Sequence, residues 1–317
     1  MDNWPLISII TPSFNQAQFL EATIRSVLDQ KYPNIEYIIV DGGSTDNSLD
    51  IIRQYDSQIS WWISEPDQGQ AEAINKGLSR AQGEIIGWIN SDDFYLPNAL
   101  KHIAQFFASN PAVALVYGNV MSVDEHAIPF HLQSFMPYTL EDLMAFQIIS
   151  QPGVFFRREV LSRTGLLDPS LHFLLDHHLW LRIAAIGPIS YLPITLAAAR
   201  YHPSAKNIAQ ASSFSQEIFR IIEWMKNYDP LRNRFEKNKA RILGGAYRLN
   251  AYYLVEATQY WAGLRSYFLA LRWYPPIAIR DWRRILFTWL GILGLGGVRR
   301  LYRKWQKNTH TTKLPSE

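Results

Sequence analysis

Apolar residues in the first 120 positions arrive in short runs, each closed by a polar or glycine-rich turn. Leu6-Ile7-Ser8-Ile9-Ile10, Glu36-Tyr37-Ile38-Ile39-Val40, Ile59-Ser60-Trp61-Trp62-Ile63 and Ile85-Ile86-Gly87-Trp88-Ile89 read as strands. Between them the period changes. Phe19, Leu20, Ile24, Val27 and Leu28 share one helical face, and Leu49, Ile52 and Tyr55 share another. A third helix runs from Asp67-Gln68-Gly69-Gln70 to about Ala81. Pro97 to Ser109 reads as a further helix and Val113 to Val120 as a further strand. The fourth run has no polar break, which suits a strand covered on both faces. Strands alternating with helices at this spacing predict right-handed βαβ crossovers, a mostly parallel Rossmann-like sheet and an α/β class.

The later chain is less regular. Met121 to Phe146 specifies no firm element, and Gln151-Pro152-Gly153-Val154-Phe155-Phe156 reads as a strand. The stretch from Phe173 to Arg182 opens a helix at its acid, with Leu179, Trp180, Ile183 and Ala184 inward. From Phe214 the pattern is helical to about Asn227 and again from Phe235 to Leu271, with Pro275-Pro276 as a break. Three divisions follow: 1–120, 121–212, and a helical extension over 213–317.

Composition narrows the class. A 48% hydrophobic and 14% aromatic content supports a packed core, and a net charge of +3 gives no case for nucleic acid as a partner. There is no cysteine, so disulfides and thiolate metal sites are excluded. The N-terminus lacks the basic and apolar regions of a secretory signal, which points to the cytoplasm. Positive charge gathers late, with no Asp or Glu between Trp282 and Ser316.

Candidate chemistry lies where strands end. Thr11 to Asn15, Asp41 to Asp46 and Asn90 to Asp93 follow the first, second and fourth strands. A parallel sheet carries those ends to one edge, where ligands bind. Asp92 and Asp93 would repel each other unless a cation or a proton shares them. One or two carboxylates plus substrate phosphates suit a hard divalent ion; the alternative is a loop in which Asp93 caps the next helix. Asp41 is placed to accept hydrogen bonds from a base or ribose, and Gly42 and Gly43 allow a close backbone approach. No G-x-G-x-x-G follows the first strand and no G-x-x-x-x-G-K-[ST] occurs, so dinucleotide and P-loop readings lose support.

The ordered set T-P-S-F-N, V-D-G-G-S-T-D-N-S, D-Q-G-Q-A-E-A-I-N-K-G-L and W-I-N-S-D-D resembles family 2 glycosyltransferases with the GT-A fold. The likeness continues in Q-P-G-V-F-F-R-R-E-V, G-L-L-D and L-D-H-H-L-W-L-R, over roughly residues 5–206. It implies inverting transfer of a sugar from a nucleoside-diphosphate donor, taken as a UDP-sugar, to a hydroxyl of a glycan or lipid-linked acceptor. Polysaccharide, lipopolysaccharide or lipid-linked glycan assembly would be the setting. In the family's terms Thr11, Pro12, Ser13, Asp41 and Ser44 surround the nucleoside. Asp67, Asn75 and Lys76 face the ribose and diphosphate, and Asp92 faces the donor ribose or sugar. Asp93 holds the metal, manganese or magnesium, with His202 as a further ligand and Lys206 near phosphate. Asn90 departs from the family's frequent aspartate.

The catalytic base maps onto Asp176, at a helix start that favours its ionised form. Leu175 replaces the family's preceding acid, so His177 or His178 competes for the role. Gln151, Trp180 and His178 are assigned to the acceptor side. Rival readings are a nucleotidyltransferase and an inactive sugar-nucleotide-binding or scaffold protein. Ile285 to Val298, 14 residues, is short for a bilayer span, which needs about 20. Flanked by Arg283, Arg284, Arg299, Arg300, Arg303, Lys304 and Lys307, and by tryptophans at 282, 289 and 305, it reads as an interfacial helix on an anionic membrane face. The alternative is a helix packed on the protein. Localisation is then cytoplasmic, peripheral on that membrane face.

Overall fold

The computed structural model describes residues 4–202 and 213–294. Lys206 and the basic positions from Arg299 onward lie outside the described residues. The described residues divide into two compact units: those up to Pro137 with Ile149–Arg200, and Tyr138–Ile148 with the described residues from Tyr201 onward.

The first unit is built on a nine-stranded sheet. Strands β1 (Ile7–Ser13), β2 (Ile35–Asp41), β3 (Trp61–Ser64) and β4 (Ile85–Trp88) pair in parallel in the order β3-β2-β1-β4. Each crossover carries a helix: α1 (Ala17–Leu28), α2 (Ser48–Gln54) and α3 (Gln70–Arg80). Ile7, Ile9, Ile39 and Ile85 of the sheet pack with Leu20, Ile24 and Val27 of α1 in one buried cluster. The expectation of a mostly parallel sheet holds for these strands alone. Past β4 the sheet continues through β8 (Val154–Arg157), β6 (Leu115–Asp124), β9 (Ile189–Tyr201) and β5 (Phe94–Tyr95). The β4–β8, β6–β8 and β5–β9 pairs are antiparallel, and β7 (Pro129–Gln133) joins β6 in the same sense. Apolar runs covered on both faces look alike in either direction, so periodicity did not distinguish them.

Several boundaries move for physical reasons. β1 runs on through Thr11, Pro12 and Ser13, because each faces a β2 residue as far as Asp41. Asp93 does not cap the next helix: it is followed by β5, and α4 spans Ala99–Ser109. The stretch with no predicted element forms β7 and a short helix, α5 (Leu140–Met144), opened by a capping box between Thr139 and Asp142. Gln151–Gly153 is a single 3₁₀ turn ahead of β8. After α6 (Leu161–Thr164) comes α7 (Leu175–Ile186), which carries Asp176 in its first turn.

The second unit is helical. It holds α5, α8 (Phe214–Asn227), α9 (Asp229–Glu256), α10 (Tyr260–Trp273), α11 (Pro275–Ile279) and α12 (Trp282–Ile292). The expected break is there: α10 ends at Trp273, and Pro275 and Pro276 open α11, since proline lacks only a donor that the first turn does not use. Gly244 and Gly245 let α9 come close to its neighbours. A Cβ at Gly245 would lie 2.0 Å from the Ala145 carbonyl oxygen, and one at Gly244 would lie 2.6 Å from Tyr274 Cβ. Arg241 pairs with Asp142 and Arg234 with Glu141, fixing α5 to α9. No described helix is long and apolar enough to cross a membrane.

Candidate active site at the carboxyl ends of the parallel strands

The turns that follow β1, β2, β3 and β4 are stitched to one another. Gly42 N–H donates to Ser13 O at 2.8 Å, and Asn15 N–H donates to the Ser44 hydroxyl at 2.8 Å. Thr45 N–H returns to Asn15 Oδ1 at 2.8 Å. Asn15 holds φ 51, a left-handed conformation that asparagine tolerates. Glu65 N–H donates to Asp41 O at 3.0 Å, and Gln70 Nε2 donates to Asn90 Oδ1 at 2.7 Å. The sequence-predicted donor loops are therefore one connected edge.

Within that edge several predicted side chains already have internal duties. Asp41 is fully buried, and its carboxylate accepts from Gly43 N–H, Ser44 N–H, the Ser44 hydroxyl and the Ser64 hydroxyl at 2.5 to 3.1 Å. The Thr11 hydroxyl bonds the Tyr37 phenol at 3.1 Å. Ser13 Oγ is buried without a hydrogen-bond partner among the described residues. Asp67 accepts from Gly69 N–H at 2.8 Å and presses against Gly42, where a Cβ would stand 2.7 Å from its Oδ2. Burial raises the Asp67 pKa, helped by Glu72 and Asp41 and opposed by Gly69 N–H and Lys76. Asn75 differs from expectation. Both ends of its amide are bonded to Leu167, as donor to O and acceptor from N–H, each at 2.9 Å, so it braces α3 against the loop before α7. Lys76 forms ion pairs with Glu65 at 2.9 Å and Glu72 at 3.0 Å.

The Asn90–Asp93 turn is held from beneath. The Thr23 hydroxyl donates to Ser91 O at 3.0 Å and to Asp93 O at 2.6 Å. Asp93 is buried, and its Oδ1 accepts Arg200 N–H at 2.8 Å. Burial first, then the adjacent Asp92, pushes the Asp93 pKa well above the carboxylate range; the Arg200 N–H, the Arg200 charge and the Asn90 side chain pull the other way. The Arg200 guanidinium donates to Asp92 O at 2.9 Å and Glu125 O at 2.8 Å, and stacks over Phe19 and Phe94. Asn90 thus carries an amide that supports Asp93, a service a third carboxylate at that place would not give.

Thr23 and Arg200 were missed at the sequence level, though each left a trace. Thr23 stands on the apolar face of α1 beside Leu20, Ile24 and Val27, and Arg200 ends the apolar run Leu196–Ala199. Among the described residues no group of three or more His, Cys, Asp or Glu gathers to hold a metal. Asp93 and the adjacent Asp92 are oxygen donors of the class a hard divalent ion takes, and Asp93 already faces the Arg200 charge and N–H. His202 falls just past β9, in the second unit.

Two aromatic rings join α7 to β4. Trp180 is wholly buried and stacks on Trp88 with centroids 5.2 Å apart, and Phe156 lies at 5.8 Å. That is a packing position, which an acceptor would not reach. Gln151 Nε2 donates to Trp88 O at 2.7 Å, while its Oε1 is buried without a partner among the described residues. His178, like His177, is buried on α7. Asp176 stands one turn ahead of Trp180, half-buried, with its Oδ1 accepting His177 N–H at 2.7 Å. The lead-in to α7 passes near the start of α3: a Cβ at Gly69 would lie 3.9 Å from His172 Nδ1. The Asp67 turn and the approach to Asp176 are neighbours.

Comparison with known proteins decides the family. The model of Glycosyl transferase family 2 matches residues 8–165. The chain is 34% identical over 197 residues to the putative teichuronic acid biosynthesis glycosyltransferase TuaG of Bacillus subtilis, covering 60% of this chain and 77% of that one. The chain belongs to glycosyl transferase family 2. Two solved structures share its fold. One is S. aureus TarS 1-349 in complex with UDP-GlcNAc, with TM-score 0.59 and 16% identity, covering 88% of this chain and 92% of that one. The other is the mannosyltransferase PcManGT of Pyrobaculum calidifontis in complex with GDP-Man and Mn2+, with TM-score 0.61 and 18% identity, covering 93% and 88%. A family 2 glycosyltransferase with the GT-A fold accounts for the connected strand-end edge and for the placement of the acidic turn upon it.

Proposed function

We propose that this glycosyltransferase moves a sugar from a nucleoside-diphosphate donor to a hydroxyl acceptor with inversion, in cell-envelope polysaccharide or lipid-linked glycan assembly. The observation that carries the reading is the Asn90–Asp93 turn, a pinned pair of acids at the carboxyl end of β4. The nucleoside would lie against Thr11, Pro12, Ser13 and the Asp41–Ser44 turn. Asp67 would face the ribose and diphosphate, and Asp92 the sugar. We take the donor as a UDP-sugar, which TarS carries; PcManGT carries GDP-Man. The polysaccharide setting draws support from the name of TuaG.

A divalent ion, manganese or magnesium, would be held by Asp93 and by diphosphate oxygens. When bound it neutralises the charge that gathers on the departing diphosphate. Asp176 would accept the proton of the acceptor hydroxyl. The acceptor oxygen then bonds to the anomeric carbon from the face opposite the diphosphate, the bond to the phosphate oxygen breaks, and the nucleoside diphosphate leaves. A single displacement of this kind inverts the centre. Gln151 and His178 would face the acceptor.

Release of nucleoside diphosphate from a panel of UDP- and GDP-sugars, measured with glycan and lipid-linked acceptors, tests the reading. Asp176→Asn should lower transfer by about 10² to 10⁴-fold, because a general base contributes on that order. Donor affinity should stay near wild type. Activity within a few-fold of wild type would move the base to His177, His178 or elsewhere. Failure of every donor to turn over would leave a sugar-nucleotide-binding protein.

A further inference from the structure

The second unit turns its apolar residues outward along two of its helices. On α12, Trp282, Leu286, Trp289 and Leu293 recur at helical spacing, and all are exposed, Trp282 by 56% and Leu293 by 68%. The opposite face packs inward, with Ile285 against the Ala251, Val255 and Tyr267 cluster and Thr288 fully buried. On α10 the outer stripe reads Trp261, Arg265, Phe268 and Arg272, with Trp261 exposed by 69%. The start of α10 and the end of α12 approach each other: Trp261, with Tyr260 and Gln259, lines an open pocket of about 420 Å³ against Gly291 and Ile292. Ile279 and Arg280, at the end of α11, add another exposed apolar side chain and another exposed cation.

Charge on this surface has one sign. Arg265, Arg272, Arg280 and Arg283 are exposed, and Arg283 stacks on Trp282. Between Ala257 and Gly294 the sequence has a single acid, Asp281, which is engaged by Tyr267 and Arg248. A soluble surface rarely leaves so many large apolar side chains uncovered without a partner. Tryptophan and arginine together suit the zone between lipid headgroups and chains, where rings sit amphipathically and cations meet phosphate. A second copy of the chain is a poor occupant, because a two-fold interface sets the same patch against itself and would bring arginines together with no acid between them.

We propose that the outer face of α10, α11 and α12 docks on an anionic lipid bilayer, lying in the headgroup zone without crossing it. The apolar stripe supplies burial, and the four arginines supply attraction that salt screens. This proposal stands apart from the transfer reading, since it is measured without any sugar nucleotide.

Flotation of the full chain with phosphatidylglycerol-containing and with pure phosphatidylcholine vesicles, at low and high salt, is the test. Wild type should float with the anionic vesicles at low salt and lose most binding at high salt. Replacing Arg265, Arg272, Arg280 and Arg283 by Gln should weaken that partition by about tenfold or more. Replacing Trp282, Leu286, Trp289 and Leu293 by Ser should abolish it at either salt, and nucleoside-diphosphate affinity should be unchanged in both variants. Should the serine variant fail to fold, the glutamine variant and the wild-type salt dependence still decide. Wild type remaining unbound at low salt overturns the proposal, as does equal flotation of the variants. A dimer seen by light scattering, lost in the variants and indifferent to vesicles, would assign the face to a second copy instead.

Discussion

Asp41 accepts from Gly43 N–H, from both Ser44 donors and from the Ser64 hydroxyl, which fills the acceptor positions of a carboxylate. Asp41→Asn keeps the volume but turns one acceptor into a donor facing donors. The cost of buried groups left unpaired is about 1–3 kcal/mol, so urea unfolding should shift to lower concentration with no nucleotide present. A variant as stable as wild type that has lost only nucleotide affinity would refute this and make Asp41 chiefly a ligand contact. Asp67 makes a pH prediction. Burial raises its folded pKa above the unfolded value, so the folded state keeps a proton where the unfolded chain has released it. Stability then falls as pH rises from the ordinary carboxylate value, about 3.9, through the folded pKa. Asp67→Asn, which can still accept Gly69 N–H, lacks that loss. Melting temperatures of the two proteins measured across that range should diverge, wild type falling behind; a constant gap would contradict the assignment. The acids themselves were legible because they end strands. The Ser64 bond to Asp41 was not, since the two are 23 residues apart, nor was the bond from Asn75 to Leu167, 92 residues away.

Elements built from local periodicity were read well, and elements fixed by distant pairing were not. α1 and α2 carry apolar faces at helical spacing, so their positions followed from the pattern. The direction of β8 and the extension of β1 through Ser13 depend on neighbouring strands, which no window of sequence contains. α3 illustrates how a motif residue can serve the fold. The Asn75 amide joins α3 to Leu167, the loop that leads toward Asp176, with two hydrogen bonds. Asn75→Ala should cost about 1–3 kcal/mol by urea denaturation, because Leu167 N–H and O lose their partner. It should also loosen the Asp67–Gly69 turn against that loop, read as faster amide exchange at Gly69 and Leu167. Unchanged stability with a large loss of diphosphate affinity would instead return Asn75 to the donor.

At the scale of the whole molecule, ligand and cation should act together on the first unit's stability. Asp93 is raised in pKa by burial and by the adjacent Asp92, which outweigh the Arg200 N–H and charge, so further positive charge nearby would favour its ionised form. On the proposed reading, a divalent ion brought with a nucleoside diphosphate would relieve that conflict and add phosphate contacts. Anything that binds the folded state alone stabilises it by mass action, by about 2.7 kcal/mol at 100 times its Kd. Melting curves should therefore rise more with UDP or GDP plus manganese than with either component alone, and the preferred nucleotide should give the larger shift. Asp93→Asn keeps the volume and removes the buried acid, so its unliganded melting temperature should equal or exceed wild type. The manganese-dependent part of the nucleotide shift should vanish, while the nucleotide-only part remains. If manganese raises the variant as much as wild type, the cation is held elsewhere and Asp93 serves only to anchor Arg200 through its backbone N–H.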